Sequence, residues 1–239
     1  MQSAAKSHRL AVNVGIHVPV SVAAVDVAAN PVVPTRPKES TEKDAQVKLY
    51  NRTIWIDSDG NIHEPGNYNK LHLFDYGNLR ESAHTQAGSE LVPPFDTPVG
   101  RVGSLICFDV RFPEPAVRLT QPSAAMVAAG FRPAHIITYP SAFTVKTGRA
   151  HWEVLLRARA IESQAYVIAA AQAGAHNEKR TSYGHSIAVD PWGKVICHLG
   201  GVAEDGSIDE GATEALGLVE IDLEEWERIR REMPLIRRT

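Results

Sequence analysis

The chain has 239 residues, 44% of them hydrophobic and 22% charged, an ordinary globular make-up with enough length for one substantial core in a single domain over 1–239. A formal net charge of −3 with scattered Lys and Arg excludes the clustered basic footprint that a nucleic-acid partner needs. Two cysteines ninety positions apart, Cys107 and Cys197, support neither a disulfide framework nor a CxxC metal site, and no apolar run approaches the roughly 18 residues of a membrane span.

That cysteine usage fits a reducing, cytoplasmic setting. Lys6, His8 and Arg9, with no acid before Asp26, give the N-terminus a faint transit-peptide character and hence a mitochondrial alternative, but a strand pattern follows at once. Leu10, Val12, Val14, Ile16 and Val18 alternate with smaller or polar residues, and period two predicts a strand with one apolar face. From Pro19 to Gln46 periodicity is lost, which predicts an irregular excursion. A hairpin is expected next, Asn51 to Ile56, then the turn Asp57-Ser58-Asp59-Gly60, then a return strand from Asn61. The stretch Lys70 to Pro98 is polar and turn-rich, and Val99 to Cys107 reads as an apolar strand.

A helix is expected from Pro113, a residue suited to the first helical position. Gln121 to Arg132 is ambiguous, and Ala134 to Tyr139 predicts a short strand. Gly148 to Gln164 is the clearest helix, with Trp152, Leu155, Leu156, Ala160 and Ile161 on one face. Tyr166 to Gln172 is apolar enough for burial on both sides. Ser182 to Val189 and Lys194 to Leu199 predict a second hairpin around Asp190-Pro191-Trp192-Gly193. After an acidic, Gly-rich loop, Leu216 to Ile221 predicts a last strand, and Leu223 to Met233 a surface helix with Glu224/Arg228 and Glu227/Arg231 pairs. Strands alternating with helices mean an α/β fold with a mixed sheet.

Cys107, at the end of its strand and just before a helix start, is placed where free backbone N–H groups and the helix dipole favour a thiolate, the form that attacks carbon. The same residue also fits a small buried hydrophobe. Lys70, Glu81 and the backbone N–H of Phe108 stand out beside it. An ammonium and an N–H can stabilise the oxyanion formed on attack at an amide, and a carboxylate can move the protons that a departing amine requires. Taken singly, Lys70 and Glu81 fit solvated loop charges equally well.

The run Leu105-Ile106-Cys107-Phe108-Asp109-Val110-Arg111-Phe112-Pro113-Glu114 closely resembles the cysteine motif of the nitrilase (carbon–nitrogen hydrolase) superfamily, and Tyr68 to Asp75 resembles its lysine motif. Thr138 to Phe143, His151 to Glu162, and Asn177 to Ser186 with Val189 to Gly193 are similar to the Nit branch, whose best-known activity is deaminated glutathione amidase. The resemblance implies a four-layer α-β-β-α sandwich and a Glu-Lys-Cys triad without metal or organic cofactor. It implies Cys107 as nucleophile, Lys70 and the Phe108 N–H as oxyanion stabilisers, and Glu81 as the additional glutamate that positions substrate and lysine. It further implies a small-molecule amide as substrate and a homodimer or higher homo-oligomer.

One departure is expected. The family's general-base glutamate lies on a strand well before the lysine motif, and this chain has no glutamate before Glu39. The base is therefore expected to be absent and the fold N-terminally truncated, an incomplete product of a longer gene, with Gln121–Arg132 as an unusual insertion. The alternatives are a catalytically impaired member acting by association, and an ω-amidase acting on α-ketoglutaramate. A serine hydrolase built on Ser186 lacks the second glycine of a nucleophile elbow. Cys197 reads as core, and Arg111, Glu114, Glu153 and Arg159 as ion pairs holding the Cys107 turn and the long helix.

Overall fold

The computed structural model describes residues 1–22, 46–77, 79–178 and 180–236; Glu39 and Lys179 lie outside them. A short helix α1 (Gln2–His8) precedes β1 (Val12–Val22), which pairs antiparallel along its whole length with β2 (Gln46–Ile56), from Val12↔Ile56 to Val22↔Gln46. β1 runs past the expected stop at Val18 and through Pro19. Among the described residues it is an edge strand, where a missing N–H need cost no ladder bond. The hairpin expected after Ile56 forms with an interrupted return. Gly60, at φ 85°, makes the turn, Asp57 N–H donates to Asn61 O and His63 N–H to Trp55 O at 2.9 Å each, and after a 3-10 turn at Glu64–Gly66 the return resumes antiparallel to β2 at Tyr68–Asn69.

The chain then makes β3 (Tyr68–Asn69), the small ribbon β4 (Asp75–Tyr76) with β5 (Leu79–Arg80), and β6 (Thr85–Gln86). β3 and β6 join β2 to complete a four-stranded sheet. β7 (Phe95–Thr97) and β8 (Gly100–Ser104) open the second sheet. After β8 come α2 (Pro113–Thr120), α3 (Ala124–Ala128), β9 (Ile136–Thr138), α4 (Val145–Ser163) and β10 (Tyr166–Ala169). A ribbon, β11 (Ala173–Asn177) with β12 (Arg180–Tyr183), is followed by β13 (Ile187–Val189), β14 (Val195–His198) and α5 (Leu223–Glu232). The second sheet has the order β14-β13-β10-β9-β8-β7, with β8, β9 and β10 parallel at its centre.

Successive residues of the central strands serve opposite faces, so both faces are apolar. Ile137 and Val167 pack with Leu119 of α2 and Leu156 and Ala160 of α4. Val102, Ile136 and Tyr166 pack with Trp55 of the first sheet, whose ring meets Phe95 edge-on at 5.7 Å. On the far side, Ala5 of α1 covers Ile54 and Ile56, with Val12, Val14 and Ile16 beside them. Helix, sheet, sheet and helices make the expected α-β-β-α sandwich.

Several elements differ from expectation. The ambiguous Gln121 to Arg132 contains α3, capped by Ser123 Oγ accepting from Met126 N–H at 3.3 Å. α4 starts at Val145 behind the Thr144 cap, and Ile161 on it is 45% exposed rather than part of the buried face. Ser182 and Tyr183 belong to the β11–β12 ribbon, because positive φ at Gly184 (77°) and His185 (57°) breaks the strand. Leu216 to Ile221 forms no strand, and Leu216 and Leu218 are largely exposed. Gly217 lies on the Cys197 side chain, so this segment crosses β14 rather than extending the ladder. In α5 the pairs are Glu225–Arg228 and Arg228–Glu232, not those at Glu224 and Glu227.

Candidate active site

The β8 ladder ends at Ser104, three residues before the expected strand end, though Leu105 N–H still reaches the Thr138 carbonyl at 3.0 Å. Cys107 opens a 3-10 turn, Cys107–Arg111, and has φ 48°. A non-glycine residue in that region is uncommon and mildly strained. Its own N–H is held by the Pro140 carbonyl at 3.1 Å. The N–H of Phe108, one residue on, is among those a helical turn leaves without an internal partner.

Lys70 follows β3 and is 2% exposed. An ammonium so deep requires a counter-charge. Glu81 supplies it, with Lys70 Nζ donating to Oε2 at 2.5 Å. The same oxygen accepts from Phe74 N–H at 2.7 Å, and Oε1 accepts from Asn51 Nδ2 at 3.3 Å. Lys70 is also fixed through its backbone, donating to Asn51 O at 2.9 Å and accepting from Gly88 at 2.8 Å.

Cys107, Phe108, Lys70 and Glu81 line one cavity of about 1210 Å³. Its wall carries the cations Lys70, Arg80 and Arg180 and the imidazoles of His17, His84 and His176. Among the described residues, Glu81 is its single carboxylate. Ser186 also reaches the wall, but its hydroxyl serves Ala171, accepting from the N–H at 2.8 Å and donating to the carbonyl at 3.2 Å. The neighbouring His185 ring meets the Val202 carbonyl instead, which leaves the serine-hydrolase pairing unformed. Cys197 is half-buried on β14. No cluster of three metal-ligating side chains exists among the described residues, and none of their helices is long and apolar enough to cross a membrane.

Of the four motif charges, Arg159 acts most clearly on the turn, donating from Nε to the Val110 carbonyl at 2.8 Å while paired with Glu162. Arg111 meets His151 Nδ1 at 3.0 Å rather than a carboxylate, and Glu153 lies 3.7 Å from Arg157.

Sequence reasoning did not single out Asp109, Tyr68, His72 or Asn51. Asp109 is fully buried and accepts from Tyr68 Oη at 2.8 Å. Burial, then the Asp109 charge, holds the Tyr68 phenol well above its ordinary value, so it stays a neutral donor. The available signal was positional: Tyr68 and His72 flank Lys70 at two residues on either side, and Asp109 follows Cys107 by two.

The family model for carbon-nitrogen hydrolases matches residues 5–231. The "Probable hydrolase nit2" of Schizosaccharomyces pombe is 48% identical over 198 residues, 80% of this chain and 64% of that protein. The mouse protein named "Deaminated glutathione amidase" is 46% identical over 193 residues, 79% of this chain and 53% of that one. Among solved structures, the Caenorhabditis elegans NitFhit protein superposes with a TM-score of 0.68 at 38% identity, over 98% of this chain and 47% of that chain. Saccharomyces cerevisiae Nit3, of branch 10 of the nitrilase superfamily, gives 0.61 at 34% identity, over 80% and 60%. The chain thus spans about half to just under two thirds of each of these relatives. With the motif residues gathered on one cavity and the family model covering nearly all of the sequence, the chain belongs to the carbon-nitrogen hydrolase family, in the Nit branch of the nitrilase superfamily.

Proposed function

We propose that this chain is a cysteine-dependent amidase acting on a small carboxamide that carries carboxylates, such as deaminated glutathione. The carrying observation is Cys107 at a sharp turn, sharing a cavity with a buried ammonium held by Glu81. The sulfur attacks the amide carbonyl carbon, and the oxyanion is stabilised by Lys70 Nζ and the Phe108 N–H. A proton passed by the Lys70–Glu81 pair lets the amine leave, the cysteinylglycine amine from deaminated glutathione or ammonia from a primary carboxamide, and water then hydrolyses the Cys107 thioester to the carboxylic acid. Arg80, Arg180 and the three imidazoles suit the wall to an anionic substrate.

A second reading is supported by the wall's single described carboxylate: a catalytically impaired member, acylated but slow to release acid. A cytoplasmic setting and a homodimer or higher homo-oligomer belong to the same proposal; exposed Leu216 and Leu218 support the latter. The test is release of cysteinylglycine from deaminated glutathione and of ammonia from α-ketoglutaramate by the purified chain. Turnover that vanishes in Cys107→Ala supports the amidase, and preference for α-ketoglutaramate identifies an ω-amidase. No turnover of either by folded protein favours the impaired reading.

A further inference from the structure

We infer that Asp109 is a positioning residue whose buried carboxylate clamps the Lys70 loop onto the Cys107 turn and so fixes the ammonium relative to the sulfur. This rests on the proposed roles of Cys107 and Lys70. Four donors converge on Asp109. Oδ1 accepts from His72 N–H at 3.0 Å and meets His72 Nδ1 at 2.8 Å. Oδ2 accepts from Tyr68 Oη at 2.8 Å and from Ile106 N–H at 2.9 Å. Three of these four come from residues flanking Lys70, and the fourth from the residue before Cys107. Tyr68 Oη also accepts from Leu71 N–H at 3.2 Å, so one side of the clamp grips the backbone on both sides of the lysine.

The chemistry of the group fits this task. An ionised carboxylate offers acceptor positions only, and a buried one needs them all filled. An amide in its place would turn an NH2 group toward donors. Glu81 holds the ammonium but comes from the lysine's own loop, so it does not tie that loop to the cysteine. The segments also meet through rings, His72 stacked on Phe112 at 3.8 Å and 13° and Phe74 edge-on to Phe108 at 5.1 Å. A hydrogen-bonded clamp and a stacked ring can therefore be separated by substitution.

The experiment measures alkylation of Cys107 by iodoacetamide at one neutral pH, in a Cys197→Ser background, with the thermal midpoint of each variant recorded. This readout needs no substrate. Lys70→Met is expected to slow alkylation roughly 10- to 100-fold, and Asp109→Asn to slow it by a similar factor, since a displacement of about 1 Å has effects of that order. The double variant is expected to be no slower than Lys70→Met alone, because Asp109 acts through the lysine. His72→Phe, which keeps the stack and loses the donor, is expected to be slow; His72→Asn, which keeps a donor, is expected to restore the rate. If Asp109→Asn does not fold, the two His72 variants decide. Wild-type rates in Asp109→Asn and His72→Phe, or additive slowing in the double variant, would overturn the clamp while leaving the Cys107–Lys70 reading intact. A wild-type rate in Lys70→Met would overturn that reading and the clamp with it.

Discussion

Lys70 and Glu81 show how a site is assembled from a few side chains with little freedom. The ammonium is buried, its counter-charge is in contact, and the carboxylate is fixed in turn by Phe74 N–H and Asn51. Removing either charge leaves the other without compensation. Lys70→Met is expected to lower kcat about 10²- to 10³-fold, the usual consequence of losing one oxyanion donor, with a smaller change in KM. Glu81→Gln keeps the shape but not the charge, and is expected to cost about 1–3 kcal/mol in urea unfolding, since Glu81 retains some exposure. Unchanged values in both would mean that the pair is an ordinary loop contact. Lys70 and Cys107 stand out in the sequence because each sits in a dense local motif, whereas Glu81 lies outside both and its pairing with Lys70 shows only in three dimensions. Asp109 does not stand out, because its importance lies in partners 37 and 41 positions away, which no local pattern reveals.

At the scale of elements, patterns of period 2 and 3.6 located most strands and helices, and the failures have physical causes. β1 outran its apolar run because an edge position tolerates Pro19. The return strand after Gly60 is interrupted because the 3-10 turn at Glu64–Gly66 breaks it before it pairs with β2 again at Tyr68–Asn69. Leu216 to Ile221 has a strand-like pattern, but Leu216 and Leu218 are largely exposed and Ile221 packs beside Trp226 without joining a ladder. α4 offers a direct test of packing. Gly148 is buried against the Tyr183 ring, and a Cβ there would lie 2.3 Å from two of its atoms. Gly148→Ala gains up to about 1 kcal/mol of helix propensity but forces the ring and β12 aside, for a net loss of roughly 1–2 kcal/mol. The expected result is a thermal midpoint lowered by several degrees. An unchanged or raised midpoint would show that the ring yields freely.

For the molecule as a whole, the two sheets meet through apolar residues, and one titratable group lies at the edge of that packing. His135 is 7% exposed, accepts from Arg101 N–H through Nδ1 at 3.1 Å and packs on the Trp226 ring at 4.4 Å. Burial, then the Arg101 charge, brings its imidazole down to about 4 from 6.5. The folded protein therefore refuses a proton that the unfolded chain accepts between those values. The stabilisation is full above pH 6.5 and is lost as pH falls toward 4, by roughly 3 kcal/mol in total. His135→Asn keeps an acceptor for Arg101 and is expected to flatten the pH dependence of unfolding in that window. An unaltered slope would place the acid sensitivity elsewhere.

The sandwich brings the Cys107 turn, the Lys70 loop and the cation-lined wall to one cavity, where the proposed chemistry requires a thioester on Cys107. The direct measurement is peptide mass spectrometry of the chain mixed with deaminated glutathione and quenched in acid. An acyl group on the Cys107 peptide, absent from Cys107→Ala and greatly reduced in Lys70→Met, is the predicted result. Cysteinylglycine released equally by wild type and Cys107→Ala, with no mass added to that peptide, would contradict it.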